Sequence, residues 1–189
     1  MSPARGPEPT PSQTIGPFFH DALLETDLTE LAPPDYPGAI RISGVVYDGA
    51  GDPVPDAMVE ISQAGPPSSE ESSSTFDAGF SGWGRSGTTD GGRFSFVTLK
   101  PAPVPAADGT PQAPHVNVVV FARGLLRQVI TRLYFPDEGE ANAYDPVLTS
   151  IVDAGLRETL IARDGGDGAY RFDVRLQGEG QTAFFGFAG

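Results

Sequence analysis

The chain has 189 residues, 39% hydrophobic and 20% charged, the profile of one globular domain with a sizeable core. Its formal net charge of -13 argues against nucleic acid and against an anionic membrane surface, both of which need clustered Lys and Arg. With no cysteine, the chain can build no disulfide framework, thiolate nucleophile or Cys-based metal site.

The first residues, MSPARGPEPTPSQ, are proline-rich and have almost nothing to bury. Proline holds such a segment extended and bars a helix, so residues 1–17 read as an arm. The stretch lacks the apolar core of a secretory signal, and no apolar run approaches a membrane span; a cytoplasmic protein is expected. In TIGPFFHDALL, Phe18, Phe19, Leu23 and Leu24 give the arm something to dock with just past Pro17.

Strand signals follow. Two β-rich runs, Ile40–Tyr47 and Ala57–Ser62, flank a Gly/Asp/Pro turn cluster from Asp48 to Asp56. In TTDGGRFSFVTLKP, Asp90-Gly91-Gly92 is a turn, and Phe94, Phe96 and Thr98 share one face of a strand. HVNVVVF and RQVITRLYF are two more β-rich runs, parted by residues 122–126 with Gly124. One helix is predicted over Ala154–Ala162. YRFDVRLQG alternates, with Tyr170, Phe172, Val174 and Leu176 inward. Long loops, residues 66–82 and 101–114, are places where function or subunit contacts concentrate. With no internal repeat, the expected fold is all-β: a single-domain β-sandwich, residues 1–189, of mixed-topology antiparallel sheets with long loops, an extended arm and one short helix.

Candidate chemistry is sparse. The chain has two histidines, His20 and His115, far apart in sequence. His115 and Asn117 share a strand face because side chains alternate, but an amide is a poor substitute for imidazole as a ligand. The plainer reading of His115 is a polar residue at a strand start, bonded to backbone. Tyr134 and Tyr170 read as core or half-core, and Tyr36 and Tyr144 as loop residues. No G-x-S-x-G elbow is present. Glu60 lies among apolar residues in a strand and reads as solvated at an edge. Arg132, inside VITRLYF, either reaches an exposed face or binds an anion; guanidinium suits carboxylates because it can form two parallel hydrogen bonds. With Arg123 and Arg127 it could form a local basic patch.

Several stretches together resemble one family, the intradiol ring-cleavage dioxygenases. They are TPSQTIGPFF, VYDGAGDPVPDAMVEISQA, GWGRSGTTDGGRFSFVTLKP, APHVNVVVFARG, TRLYFPDE and YRFDVRLQGEGQTAFF, running from about Thr10 to Phe187. The resemblance implies a ferric centre held by two tyrosinates and two histidines in an H-x-H pair. At the matching positions this chain has His115-Val116-Asn117, Val104 in KPAPVPAA, and no tyrosine in GPPSSEESSS. Three of the four ligands are absent.

The family includes two-chain enzymes, and the pattern is similar to their non-iron-binding alpha subunit, with no catalytic or metal residues of its own. The resemblance then implies ferric iron bound by a homologous beta subunit, and αβ units in a larger oligomer. The implied substrate is an aromatic dihydroxybenzoate, cleaved by O₂ between its hydroxyl-bearing carbons. Thr14, Gly16 and Pro17 would line the shared pocket, with Arg132 beside it. The alternative is a catalytically silent β-sandwich binding module that kept the fold.

Overall fold

The computed structural model describes residues 13, 14, 16, 18–67 and 79–186. A short helix α1 (Phe18–Leu23) precedes β1 (Ala39–Tyr47), β2 (Met58–Gln63), β3 (Trp83–Gly87) and β4 (Arg93–Leu99). A two-residue ribbon, β5 (Val104–Pro105) with β6 (Pro111–Gln112), leads into the hairpin β7 (His115–Phe121) and β8 (Val129–Tyr134). Three short helices follow: α2 (Gly139–Tyr144), α3 (Pro146–Ser150) and α4 (Ala154–Glu158). The chain then forms β9 (Arg163–Gly166), β10 (Ala169–Arg171) and β11 (Val174–Arg175).

Two sheets make the sandwich. In the first, β1 is flanked by antiparallel β4 on one side and by β10 and β11, both parallel to it, on the other; β9 pairs with β10. The second runs β3-β2-β7-β8, antiparallel throughout. Their facing sides bury Ile42, Val46, Phe94 and Phe96 against Val59, Ile61, Val116, Val118 and Leu133. Each such side chain contributes about 1.5–3 kcal/mol on full burial. Residues 28–30 tie the sheets together at one margin, Leu28 bridging to Arg85 and Glu30 to Val97.

The reverse face of the second sheet carries a smaller core of Ala113, Tyr134, Leu148 and Leu160, covered by the helical segment. At the far end of β7 on that face, Phe19 of α1 is buried and packs on Phe121 with ring centroids 6.4 Å apart. The docking expected of the apolar residues past Pro17 is thus made through Phe19, on a helix.

The all-β sandwich is present, with differences in detail. Among the described residues, four short helices occur where one was expected, and the one at 154 stops at Glu158 because Ile161 already bridges to Tyr134 and a strand opens at Arg163. Asp145-Pro146 and Asp153 supply the caps that start α3 and α4. The YRFDVRLQG run keeps its predicted alternation but splits into β10 and β11. At the break, Val45 N–H donates to the Asp173 side chain at 3.1 Å instead of to a backbone carbonyl. Gly44 makes this approach possible: a Cβ there would lie 1.8 Å from the Phe172 carbonyl oxygen.

A candidate functional site at the mouth of the β7–β8 hairpin

Antiparallel pairing sets His115 opposite Tyr134 and Asn117 opposite Arg132. Because alternate side chains share a face, these four stand together on the reverse side of the second sheet. The sequence pairs His115 with Asn117 along one strand; the register adds Arg132 and Tyr134 from the next.

Arg132 is the centre of the cluster. Its Nε donates to Asn117 Oδ1 at 3.2 Å, and its Nη1 to Gln112 Oε1 at 2.6 Å and Tyr134 Oη at 3.3 Å. Gln112 stands opposite Val104 on the short ribbon. Of the positions where the family resemblance places ligands, 117 accepts from this guanidinium directly, while 104 and 115 are the strand partners of its other two acceptors, Gln112 and Tyr134.

Tyr134 passes the network inward, its Oη donating to Asp145 Oδ1 at 3.1 Å. Asp145 is fully buried, and also accepts from the backbone N–H groups of Ala113 at 2.8 Å and of Val147 and Leu148 at 2.9 Å each. One carboxylate thus caps α3, pins the start of β7 and anchors a buried phenol. Burial pushes the Tyr134 phenol up to about 12, so it remains a neutral hydroxyl. Asp145 was not singled out in the sequence, although Asp-Pro at a helix start is a readable N-cap signal.

His115 is buried, with its Nδ1 2.7 Å from the Ala113 carbonyl oxygen. A carbonyl only accepts, so Nδ1 carries the proton. Burial lowers the imidazole below its ordinary value, and the nearby Arg132 charge works in the same direction. The ring packs 5.5 Å from that of Tyr134. The backbone-bonded reading of His115 is the one that holds.

A ferric ion does not fit this group of residues. Val104 has no donor atom, Asn117 Oδ1 accepts from Arg132, and the nearest charge is a guanidinium that would repel another cation. Among the described residues, no three His, Cys, Asp or Glu side chains converge in a way that could hold a metal. The tyrosine-free GPPSSEESSS stretch lies outside the described residues from position 68 onward.

The other candidates are dispersed. Thr14 is exposed and Gly16 half-buried, joined by a local contact from Gly16 N–H to Thr14 Oγ1 at 3.4 Å; Pro17 lies outside the described residues. All the hydrogen-bond partners of Arg132 given above lie on β6, β7 and β8, none on the arm. Arg123 sits past the other end of β7, paired with Asp56 at 2.6 Å, so it does not form a patch with Arg132. Glu60 is not at an edge: β2 lies between β3 and β7, and Glu60 makes an ion pair with Arg85 at 2.7 Å, both largely shielded from solvent. Tyr134 and Tyr170 are buried, Tyr36 is half-buried against the main core, and Tyr144 is 77% exposed.

Comparison with known proteins gives this geometry its context. A family model described as Dioxygenase matches residues 15–178. The protocatechuate 3,4-dioxygenase alpha chain of Pseudomonas putida is 44% identical over 94% of this chain and 96% of its own length. That of Burkholderia cepacia is also 44% identical, over 93% and 96%. The Burkholderia cepacia beta chain is 29% identical over 90% of this chain and 77% of its own. Among solved structures, the dioxygenase domain of a dioxygenase carbohydrate-binding protein fusion from Streptomyces sp. SirexAA-E superposes with a TM-score of 0.54 at 26% identity, covering 90% and 99% of the two chains. Catechol 1,2-dioxygenase from Pseudomonas arvilla C-1, 22% identical over 79% and 55%, shares the fold with the same TM-score. The chain belongs to the intradiol ring-cleavage dioxygenase family.

Proposed function

We propose that this chain is the alpha subunit of a protocatechuate 3,4-dioxygenase and that it works only beside a homologous beta subunit. The complex cleaves protocatechuate with O₂ between its two hydroxyl-bearing carbons, giving 3-carboxy-cis,cis-muconate. Ferric iron belongs to the beta subunit, which carries the oxygen chemistry. In this chain, Thr14, Gly16 and Pro17 wall the shared pocket, and Arg132 lies beside it as a fixed positive charge suited to the substrate's carboxylate. The αβ units assemble into a larger cytoplasmic oligomer.

The observation that carries the reading is a conjunction. The chain matches alpha chains at 44% identity along almost its whole length, while at two positions where the resemblance places ligands it has Val104, with no side-chain donor atom, and Asn117, which accepts from Arg132.

Co-expression with a homologous beta chain, followed by iron content and protocatechuate turnover, tests it. The complex is expected to hold iron and turn over substrate, and the isolated chain to do neither. Stoichiometric iron in the isolated chain would overturn the reading. Deleting residues 1–17 is expected to lower turnover of the complex while leaving the alpha chain folded.

A further inference from the structure

The outer face of the first sheet carries a second concentration of arginine, separate from the β7–β8 site. Register sets Ser43 of β1 opposite Ser95 of β4 and beside Arg171 of β10. Arg41 stands two residues before Ser43 on the same face, and Arg93 two residues before Ser95. The result is a sheet face carrying two small hydroxyl side chains with three arginines around them. Together they line a hollow of about 470 Å³, within the size range of small-molecule sites.

The three arginines are only partly neutralised by their neighbours. Arg171 is held in place by Asp173, Nε to Oδ2 at 3.0 Å. Arg41 has a single long contact, Nη1 to Ser95 Oγ at 3.3 Å, and Arg93 has no ion-pair partner among the described residues. Glu30 is the one carboxylate on the wall. An adjoining hollow shares Arg171 and adds Arg163 and Arg175. Five of the chain's 12 basic residues thus border two neighbouring hollows, against three carboxylates among the described lining residues (Glu30, Glu158 and Asp173), in a molecule of net charge -13. That spacing reverses the overall charge locally and focuses attraction on a small anion.

We infer that the hollow around Ser43 and Ser95 binds a small organic anion with two or more carboxylates. Planar forks match carboxylate oxygens in pairs, and the serine hydroxyls can donate to oxygens that reach the floor. Three arginines lining one hollow, only one of them paired with a carboxylate, suit several carboxylates on one short skeleton better than a single one.

Isothermal titration of citrate into the full chain co-purified with its beta partner, at low ionic strength, tests the inference, with inorganic phosphate as the comparison anion. Citrate is expected to bind once per alpha chain. Arg41→Gln and Arg93→Gln are each expected to weaken it about tenfold, the loss of one charge-assisted hydrogen-bonded contact. Both residues are exposed, so the thermal midpoint should be unchanged; should the Arg41→Gln variant fail to fold, Arg93→Gln alone decides. No citrate binding, binding indifferent to both substitutions, or phosphate binding as tightly as citrate would each overturn it.

Discussion

The guanidinium of Arg132 donates through Nε to Asn117 Oδ1 across the β7–β8 pair, at 3.2 Å, in the place where the family resemblance expects a second histidine ligand. The amide oxygen is a good acceptor for a guanidinium and a weak donor to a metal, so the substitution changes what the site can hold. Removing the guanidinium leaves Asn117, Gln112 and Tyr134 oxygens without their donor. Arg132→Met is expected to destabilise the chain by about 1–3 kcal/mol in urea denaturation. Arg132→Lys should recover only part of that, because one ammonium cannot reproduce the fork.

Asp145 is the polar hub behind this contact. Asp145→Ala would orphan the Ala113, Val147 and Leu148 N–H groups and the Tyr134 hydroxyl together. The loss of a cap and of a buried acceptor is expected to cost about 3 kcal/mol by chemical denaturation. Asp145→Asn keeps one oxygen in place and should cost less. A loss confined to the helical segment, with Tyr134 still fully protected, would contradict the role given to this carboxylate as a link between α3 and β7.

His115 predicts a pH dependence. Burial lowers its folded-state value below the ordinary 6.5, so the unfolded chain binds its proton more readily. Between the two values the unfolded state holds more protons, and stability rises with pH. The contribution is therefore intact above about pH 6.5 and is lost as pH falls through the lowered folded-state value. Urea midpoints for the native chain should fall between about pH 7.5 and pH 5.5, and His115→Gln should flatten that slope. An unchanged slope in the variant would show that the protonation lies elsewhere.

Gly44 carries a steric prediction. An added Cβ would meet the Phe172 carbonyl at 1.8 Å and the Phe94 ring at 2.7 Å, so Gly44→Ala must push β1 away from the β10–β11 break. Loss of more than about 3 kcal/mol, or failure to fold, is expected. Gly139→Ala serves as the control, since a Cβ there meets nothing within 4 Å. It should leave the denaturation midpoint nearly unchanged or raised slightly.

Alternation made most of the sandwich legible. HVNVVVF forms β7 over the predicted residues, and Phe94, Phe96 and Thr98 do face inward on β4. Trp83–Gly87 was harder: it holds two glycines and one large apolar residue, too little pattern for a strand, and is fixed by pairing with β2. Short helices of five or six residues escape periodicity for the same reason, although caps such as Asp145-Pro146 mark where they begin.

By itself, the sequence determined the sandwich and the plain backbone bond of His115, because each is a local matter of residue type or alternation; the ligand positions at Val104 and Asn117 come from the family resemblance alone. Only the tertiary structure decided what stands around the positions where the resemblance places ligands. Cross-strand register brings Arg132 to Asn117, Tyr134 carries the network to Asp145, and Ser43 meets Ser95 among arginines. These contacts join residues from different strands and helices, and strand pairing, which composition along one segment does not encode, sets which of them meet.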